Sequence, residues 1–448
     1  MIPDNVVSAS ELHRIFQLQR SHQYTAKNST AAQRKAKLQK LKDVILANAD
    51  AICAAVYADL RRNREMAQYT EIYATTVAID DAIAHLDEWM QPVAVEPVGT
   101  SAGTGEGQIR YEARGQVLVL GPWNFPIQLV LSPLVPAIAA GNVVIAKPNE
   151  LSPHCSAITA KIIREAFDEC DVAVFEGGID VANLLLDQPF NHVFFTGSPA
   201  VGRVVMAAAA KHLASVTLEL GGKNPVVIDA TADLVAAAGK IAAIRTMNAG
   251  QLCLCPDHVW IKREQRDAFV QTVGAVLNKM YFVDGKLNAD ALGKIVNERN
   301  FARVTGYIAD AVERGAKVAF GGGSDPVQQL VEPTVLVDVP VNANIMRDEI
   351  FGPILPVLVY DDLAEVLDYL QNHGKPLAAY IYSKDQKFVE RFLANTSSGG
   401  VTVNGVLSHA SDATRLPFGG VNDSGIGAYH GFHGFRELSH ARSVFTCA

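Results

Sequence analysis

The sequence predicts an α/β protein built on parallel sheets whose two faces are covered by helices. From Gln116 onward, short apolar runs (QVLVL, NVVIAK, VAVFEG, HVFFTG, VTLEL, PVVI) alternate with amphipathic stretches at about 129–140, 155–169, 180–186 and 200–213. Strands that alternate with helices need crossover connections, and these lay helices over both faces of a parallel sheet. The chain has 448 residues, 49% hydrophobic and 19% charged, more than one hydrophobic core usually organises and close to ordinary globular usage. Two or three domains are expected.

In chain order, residues 12–90 are rich in Ala, Leu, Lys and Glu, with Leu38, Leu41, Val44, Ile45 and Ile52 at helical spacing, which predicts several helices. The basic run from Arg34 to Lys42 reads as the wet face of one of them. Pro92 and Pro97 end this region, and the Gly/Ser/Thr-rich segment 98–108 between apolar flanks predicts a protruding hairpin. Residues 116–229 have the pattern of a dinucleotide-type domain, in which ligands sit at the carboxyl ends of the strands. A second α/β series follows: a helix at 232–247, a strand at 258–262, helices near 265–279 and 295–313, and strands at AKVAF, TVLVDV, ILPVLVY and GGVTVN. No repeat of fixed period appears, which argues against a solenoid. The glycine-dense PFGGVNDSGIGAYHG leads to a short strand-like SVFT, read as an element that crosses to a partner subunit.

A net charge of −8 argues against nucleic-acid binding, which needs clustered Lys and Arg. No window offers the ~18 apolar residues of a membrane span, and MIPDNVVSASELHRIF lacks the pattern of a secretory leader. Cys447, one residue from the end, is misplaced for prenylation. The six cysteines lack framework spacing and suggest reduced thiols, so a cytoplasmic protein without a membrane anchor is expected.

Two of those cysteines stand one residue apart in AGQLCLCP, residues 249–256. Zinc is disfavoured, because Cys253, Cys255 and His258 supply three ligands and no second cysteine pair exists; no metal is expected. A Cys253–Cys255 disulfide would close a small strained ring. An inert thiol and a nucleophile remain, and the motif alone favours the inert one. Glu219, in LELGGKNP, ends an apolar strand where desolvation could raise it toward a general base; the plainer reading is a salt bridge to Lys223. Asn124, in GPWNFP, is bracketed by Pro122 and Pro126, as a rigid oxyanion donor would be; an Asn that satisfies its own turn is the commoner case. No G-x-G-x-x-G follows the first strand. Gly197, Ser198, Pro199 and Gly202 nevertheless open a helix after a strand and make a reasonable phosphate site, and Lys147 and Glu150 after a neighbouring strand could meet ribose hydroxyls.

GPWNFP, AKPNELSP, FFTGSPAVGR, LELGGKNPVV, NAGQLCLCPD, EIFGPILPV and LPFGGVNDSGIGAYHG, in that order over about 110–442, together resemble the NAD(P)-dependent aldehyde dehydrogenase superfamily. The chain length and the ending GAYHGFHGFRELSH are similar to its class 3 branch, which includes aromatic and fatty aldehyde enzymes. The resemblance implies a Rossmann-type cofactor domain (1–95 and 112–226), a second α/β catalytic domain (227–407) and a small oligomerisation element (96–111 and 408–448) that forms a homodimer. It implies oxidation of an aromatic or medium- to long-chain apolar aldehyde to the acid. Cys253 would be the nucleophile, Asn124 with the Cys253 backbone N–H the oxyanion hole, and Glu219 the general base. Lys147 and Glu150 would serve the adenosine ribose, Gly197, Ser198 and Gly202 the pyrophosphate region, Glu349 the nicotinamide ribose and Phe351 the nicotinamide ring. NAD or NADP is implied, with NAD favoured by the charge of Glu150. Trp123, Phe125, Leu252 and His409 would line the substrate path. Family members often carry Thr and a small residue where Leu252 and Cys255 stand, Tyr at Phe125 and Ser at Asn149, which leaves substrate range and coenzyme preference open. Two rivals remain: a CoA-acylating dehydrogenase, which tends to lack the glutamate found here as Glu219, and a non-catalytic structural or binding relative.

Overall fold

In a computed structural model of the chain, the structure describes residues 8–96, 103–411 and 415–447. Helices Ala9–Lys27, Ala31–Ala47 and Ala49–Leu60 open the chain, followed by a short helix Arg64–Ala67, a π-helical turn Gln68–Tyr73 and a helix Ala74–Trp89. Their starts carry local signals: the Ser8 side chain accepts from the Glu11 N–H, and Thr30 and Gln33 form a reciprocal capping box. Leu38, Leu41 and Ile45 form the inward stripe of Ala31–Ala47. Arg34 corrects the reading of this basic run as a solvated face. It is 5% exposed, and its guanidinium donates to the Ala139 carbonyl at 2.8 Å, the Lys27 carbonyl at 2.7 Å and Ser29 Oγ at 3.0 Å. A helix facing two neighbours buries the arginine that can satisfy their backbone carbonyls.

The strands follow as Val93–Val95 (β1), Gly105–Ala113 (β2), Gln116–Leu120 (β3), Val143–Lys147 (β4), Val172–Val174 (β5), His192–Thr196 (β6), Ser215–Glu219 (β7), Pro225–Ile228 (β8) and His258–Lys262 (β9). The arms of the expected hairpin, β1 and β2, pair antiparallel; its tip at 97–102 lies outside the described residues. β3 to β7 form a parallel sheet in the order β7-β6-β3-β4-β5, with Gly425–Ile426 antiparallel on its β7 edge. The order reverses between β3 and β6, the switch point where open α/β sheets form a ligand crevice. β3, β4 and β6 are buried along their whole length, as expected when helices cover both faces.

The second sheet has seven strands in the order Lys317–Phe320, Thr334–Val337, Ile354–Tyr360, β9, β8, Ala378–Tyr382, Gly400–Val403, parallel except for the first pair. The end of the chain goes beyond its sequence signal: Ser439–Cys447 is a nine-residue strand that pairs with β2 along its entire length. With β1 it makes a three-stranded, largely exposed sheet. Among the described residues no helix is long and apolar enough to cross a membrane.

Candidate active site

The loop that follows β3 meets the segment 247–257, which leads into β9. Asn248 and Ala249, both at φ 52°, and Gly250 at φ 74° adopt successive left-handed conformations. For the two residues with side chains this costs about 1–2 kcal/mol each, and the surrounding contacts hold it in place. Gly250 is required sterically as well, since a Cβ there would collide with the Gly352 carbonyl. Asn224, just before β8, pins the loop: its amide donates to the Cys253 carbonyl at 2.7 Å and the Cys255 carbonyl at 3.0 Å, and its own carbonyl accepts from the Asp257 N–H at 2.8 Å.

These contacts make the two cysteines unequal. Cys253 is partly exposed; Cys255 is buried, with its sulfur toward the carbonyls of Ile244 at 3.4 Å and Arg245 at 3.5 Å on the helix Leu234–Thr246. Burial, and then the charges of Glu349 and Glu219, push the Cys253 thiol far above its ordinary range. Burial also pushes Cys255 up to about 12.

Asn124 follows β3 and is 4% exposed. Its Nδ2 donates to the Gln251 carbonyl at 3.2 Å, two residues before Cys253, so the amide is aimed at the cysteine loop. Its own carbonyl accepts from Asn248 Nδ2 at 3.0 Å and from the Arg62 guanidinium. Glu219 ends β7, is 4% exposed, and among the described residues has no hydrogen-bond partner on either carboxylate oxygen. Burial, and then the negative charge of Glu437, raise it well above the usual carboxylate range. The plainer reading of Glu219 fails: Lys223 pairs with Asp257 and donates to the Ile345 carbonyl at 2.6 Å.

A cleft of about 440 Å³, lined among others by Pro199, Gly221, Gly222, Lys223 and Glu349, lies beside these groups. Pro199 is at the N-terminus of the twelve-residue helix Pro199–Ala210, whose N-cap is Ser198. Gly197 and Gly202 have packing reasons of their own: a Cβ on the first would meet the Phe195 ring, and on the second Leu220 at 2.7 Å. Glu349 lies so close to Gly221 that a Cβ on the glycine would overlap its carboxylate, and among the described residues Glu349 Oε1 has no partner. Burial, and then Asp257, push Glu349 up to about 8. Lys147, buried at the end of β4, pairs with Glu150 at 3.0 Å. A helix N-terminus, glycine-lined backbone and a buried carboxyl oxygen without a partner among the described residues fit a dinucleotide laid along the strand ends.

Trp123 and Phe351, distant in sequence, meet edge to face with centroids 5.3 Å apart, and Phe351 turns into this contact at φ 47°. Phe125 is buried, with the Arg62 guanidinium 4.5 Å over its ring, and Leu252 is buried in the core. His409 is buried as well. Its Nδ1 meets Thr402 Oγ1 at 2.7 Å, and its ring is 6.1 Å from that of Tyr380, whose hydroxyl donates to the Leu254 carbonyl at 2.6 Å. Sequence reading missed Arg62, Glu71, Asn248 and Asp257. Asn248 and Asp257 flank the cysteine motif and were open to inspection there; Arg62 and Glu71 sit in a polar helical stretch with no spacing signal.

The family model described as "Aldehyde dehydrogenase family" matches residues 5–444. The chain is 46% identical over 440 residues to a putative aldehyde dehydrogenase, AldX, of Bacillus subtilis (strain 168), covering 98% of both chains. It is 40% identical over 411 residues to the dimeric NADP-preferring aldehyde dehydrogenase of Rattus norvegicus, covering 91% of this chain and 88% of the other. The substrate-bound structure of Staphylococcus aureus AldH superposes with a TM-score of 0.92 at 36% identity, covering 98% of this chain and 94% of that one. With a match over nearly its whole length, the chain belongs to the aldehyde dehydrogenase family.

Proposed function

We propose that this aldehyde dehydrogenase oxidises an aromatic or medium- to long-chain apolar aldehyde to its carboxylic acid with NAD or NADP, through a thiohemiacetal and then a thioester on Cys253. One observation carries the reading: the Asn124 amide is aimed at the loop of the partly exposed Cys253 thiol, and the Glu219 carboxyl, without a partner among the described residues, lies close enough for its charge to act on that thiol.

The Cys253 thiol is held neutral, so its proton must leave before sulfur can attack the carbonyl carbon. The thiol is partly exposed, so that proton passes to solvent water. As the carbonyl oxygen becomes an alkoxide, the Cys253 backbone N–H and one Asn124 N–H stabilise it; the other Asn124 N–H is already engaged by Gln251. Bound nicotinamide cofactor supplies the hydride acceptor. Glu219, a stronger base than an ordinary carboxylate, then takes a proton from water, whose oxygen attacks the thioester carbonyl; the C–S bond breaks, the carboxylic acid leaves, and Glu219 returns its proton to the Cys253 thiolate.

The cofactor is read as lying along the strand ends and reaching the 440 Å³ cleft that Glu349 lines, with Lys147 and Glu150 at the adenosine ribose, Gly197, Ser198 and Gly202 near the pyrophosphate, and Glu349 and Phe351 at the nicotinamide end. The carboxylate of Glu150, 44% exposed in its side chain, favours an unphosphorylated ribose and puts NAD ahead, although the rat relative is named NADP-preferring. Trp123, Phe125, Leu252 and His409 are assigned to the substrate path, and its aromatic and aliphatic character supports an apolar aldehyde. Residues 1–95 with 112–226 are read as the cofactor domain, 227–407 as the catalytic domain, and 96–111 with 408–448 as the element of a cytoplasmic homodimer. The exposed three-stranded sheet and the rat relative's printed name, dimeric, support the last assignment.

A panel of aromatic and aliphatic aldehydes with each coenzyme, following reduced nicotinamide and ranking kcat/KM, tests the reading. Turnover should favour apolar aldehydes and release free acid when CoA is present. Robust acyl-CoA formation would overturn the hydrolytic assignment, and no turnover with any aldehyde would point to the non-catalytic rival.

A further inference from the structure

The helix Ala49–Leu60 ends on Arg61 at φ 52°, and this left-handed turn sends the next residue inward. Arg62 is 3% exposed. Its Nη1 donates to Glu71 Oε1 at 2.6 Å and Thr70 Oγ1 at 2.7 Å, its Nη2 donates to the Asn124 carbonyl, and its Nε donates to Asn248 Oδ1 at 3.3 Å. Its plane lies 4.5 Å over Phe125. Glu71, fully buried, turns its other oxygen to the N–H groups of Ile127 at 3.1 Å and Gln128 at 2.7 Å, at the start of the helix Gln128–Ala140. The Arg62–Glu71 pair therefore grips the segment 124–128 at both ends. It also reaches Asn248, whose amide donates to the carbonyls of both Asn124 and Gln251.

A buried ion pair adds little to stability compared with apolar packing of the same volume. Placement gives this one a use, because the guanidinium contacts Asn124, the ring beside it and Asn248 at the base of the cysteine loop. We propose that Arg62 is a positioning residue: it fixes the main chain of Asn124 so that the side-chain amide stays within reach of the oxygen on the carbon that Cys253 attacks. This rests on the reading of Asn124 as the oxyanion donor. Displacing such a donor by about 1 Å is enough to slow the chemistry by roughly 100-fold.

The test isolates the acyl-transfer step from the cofactor. Incubation with p-nitrophenyl acetate lets the Cys253 sulfur attack the ester carbonyl and expel p-nitrophenolate; the acetyl thioester is followed by intact mass and the phenolate by absorbance. Arg62→Gln should slow acetylation by about 10- to 100-fold, and Arg62→Lys should fall between it and the wild type. In an Asn124→Ala background neither change should alter the rate by more than about twofold, because the group that Arg62 positions is gone. Loss by the same factor in both backgrounds would make Arg62 a structural residue and overturn the inference. If Arg62→Gln does not fold, Arg62→Lys, which keeps a charge opposite Glu71, carries the same cycle; no loss, or equal loss in both backgrounds, overturns it. An Asn124→Ala rate equal to that of the wild type would instead refute the oxyanion reading, and this inference with it.

Discussion

Lys223 pairs with Asp257, not with Glu219 four residues before it. Although burial alone would raise Asp257, the charge of Lys223 holds it well below the ordinary carboxylate range, so Asp257 is ionised. The other oxygen of Asp257 accepts from the Ile350 N–H at 3.0 Å, between Glu349 and Phe351. One carboxylate thus anchors the segment that carries both residues assigned to the nicotinamide end of the cofactor. Asp257→Asn should leave Lys223 buried without its anion and cost about 3–5 kcal/mol of stability. Where the variant folds, the loosened segment should raise KM for the cofactor by about 10-fold, while acetylation of Cys253 by p-nitrophenyl acetate stays near the wild-type rate. Equal losses in both assays would remove Asp257 from the cofactor end.

Among the described residues no cation pairs with Glu219, and burial, then the charge of Glu437, make it a stronger base than an ordinary carboxylate. Glu219→Gln keeps the shape and removes the base, so the thioester should form and persist. Mass spectrometry after a single turnover should find the acyl adduct on Cys253, and kcat should fall by about 100-fold or more. Because the folded pKa of Glu219 is raised, wild-type deacylation should weaken with acid at a higher pH than an ordinary carboxylate would set, and that limb should vanish in the variant. Normal turnover without an adduct would refute the role.

Cys253 and Cys255 should separate cleanly. Cys253→Ala should abolish dehydrogenase turnover. Cys255→Ala removes a small buried group whose sulfur faces Ile244 and Arg245, so it should lower Tm by about 1–2 °C, for a cost of about 1 kcal/mol, and retain most activity. Comparable losses of activity in both variants would make the assignment of the nucleophile unsafe.

The parts of this molecule that were legible in the sequence are those where one local pattern has one physical meaning. β3, β4 and β6 read as apolar runs because helices cover both faces, and Asn124 stood out because two prolines fix its backbone. The strand Ser439–Cys447 was seen only at SVFT, since its partner β2 holds it by main-chain bonds that need no apolar side chains. Arg62 and Glu71 look like ordinary surface charges in a polar stretch; only the backbone reversal at Arg61 turns one of them toward Asn124. Phe351 and Trp123 lie 228 residues apart, so their contact depends on how the two sheets are set against each other.

Stability carries a pH dependence that arises in the same buried strands. His192 is fully buried on β6, with ring nitrogens 2.8 Å from Ser215 Oγ and 3.1 Å from Thr217 Oγ1 on β7. Burial, and then the charge of Arg114, lower its pKa from 6.5 to about 3. Between those values the unfolded chain holds a proton that the folded chain does not, so this group's contribution is lost as pH falls below about 6.5, at about 1.4 kcal/mol per pH unit. Glu349, raised to about 8, acts in the opposite sense: its folded form binds the proton first, so its contribution grows as pH falls toward the ordinary carboxylate range. The net acid limb therefore mixes signs, and a difference measurement separates them. His192→Gln keeps polar atoms for both hydroxyls but cannot titrate. The unfolding free energy of wild type minus that of the variant, from urea titrations at pH 7 and pH 5, should be about 1–2 kcal/mol lower at pH 5. A difference that does not change with pH would mean that His192 titrates alike in the folded and unfolded chains.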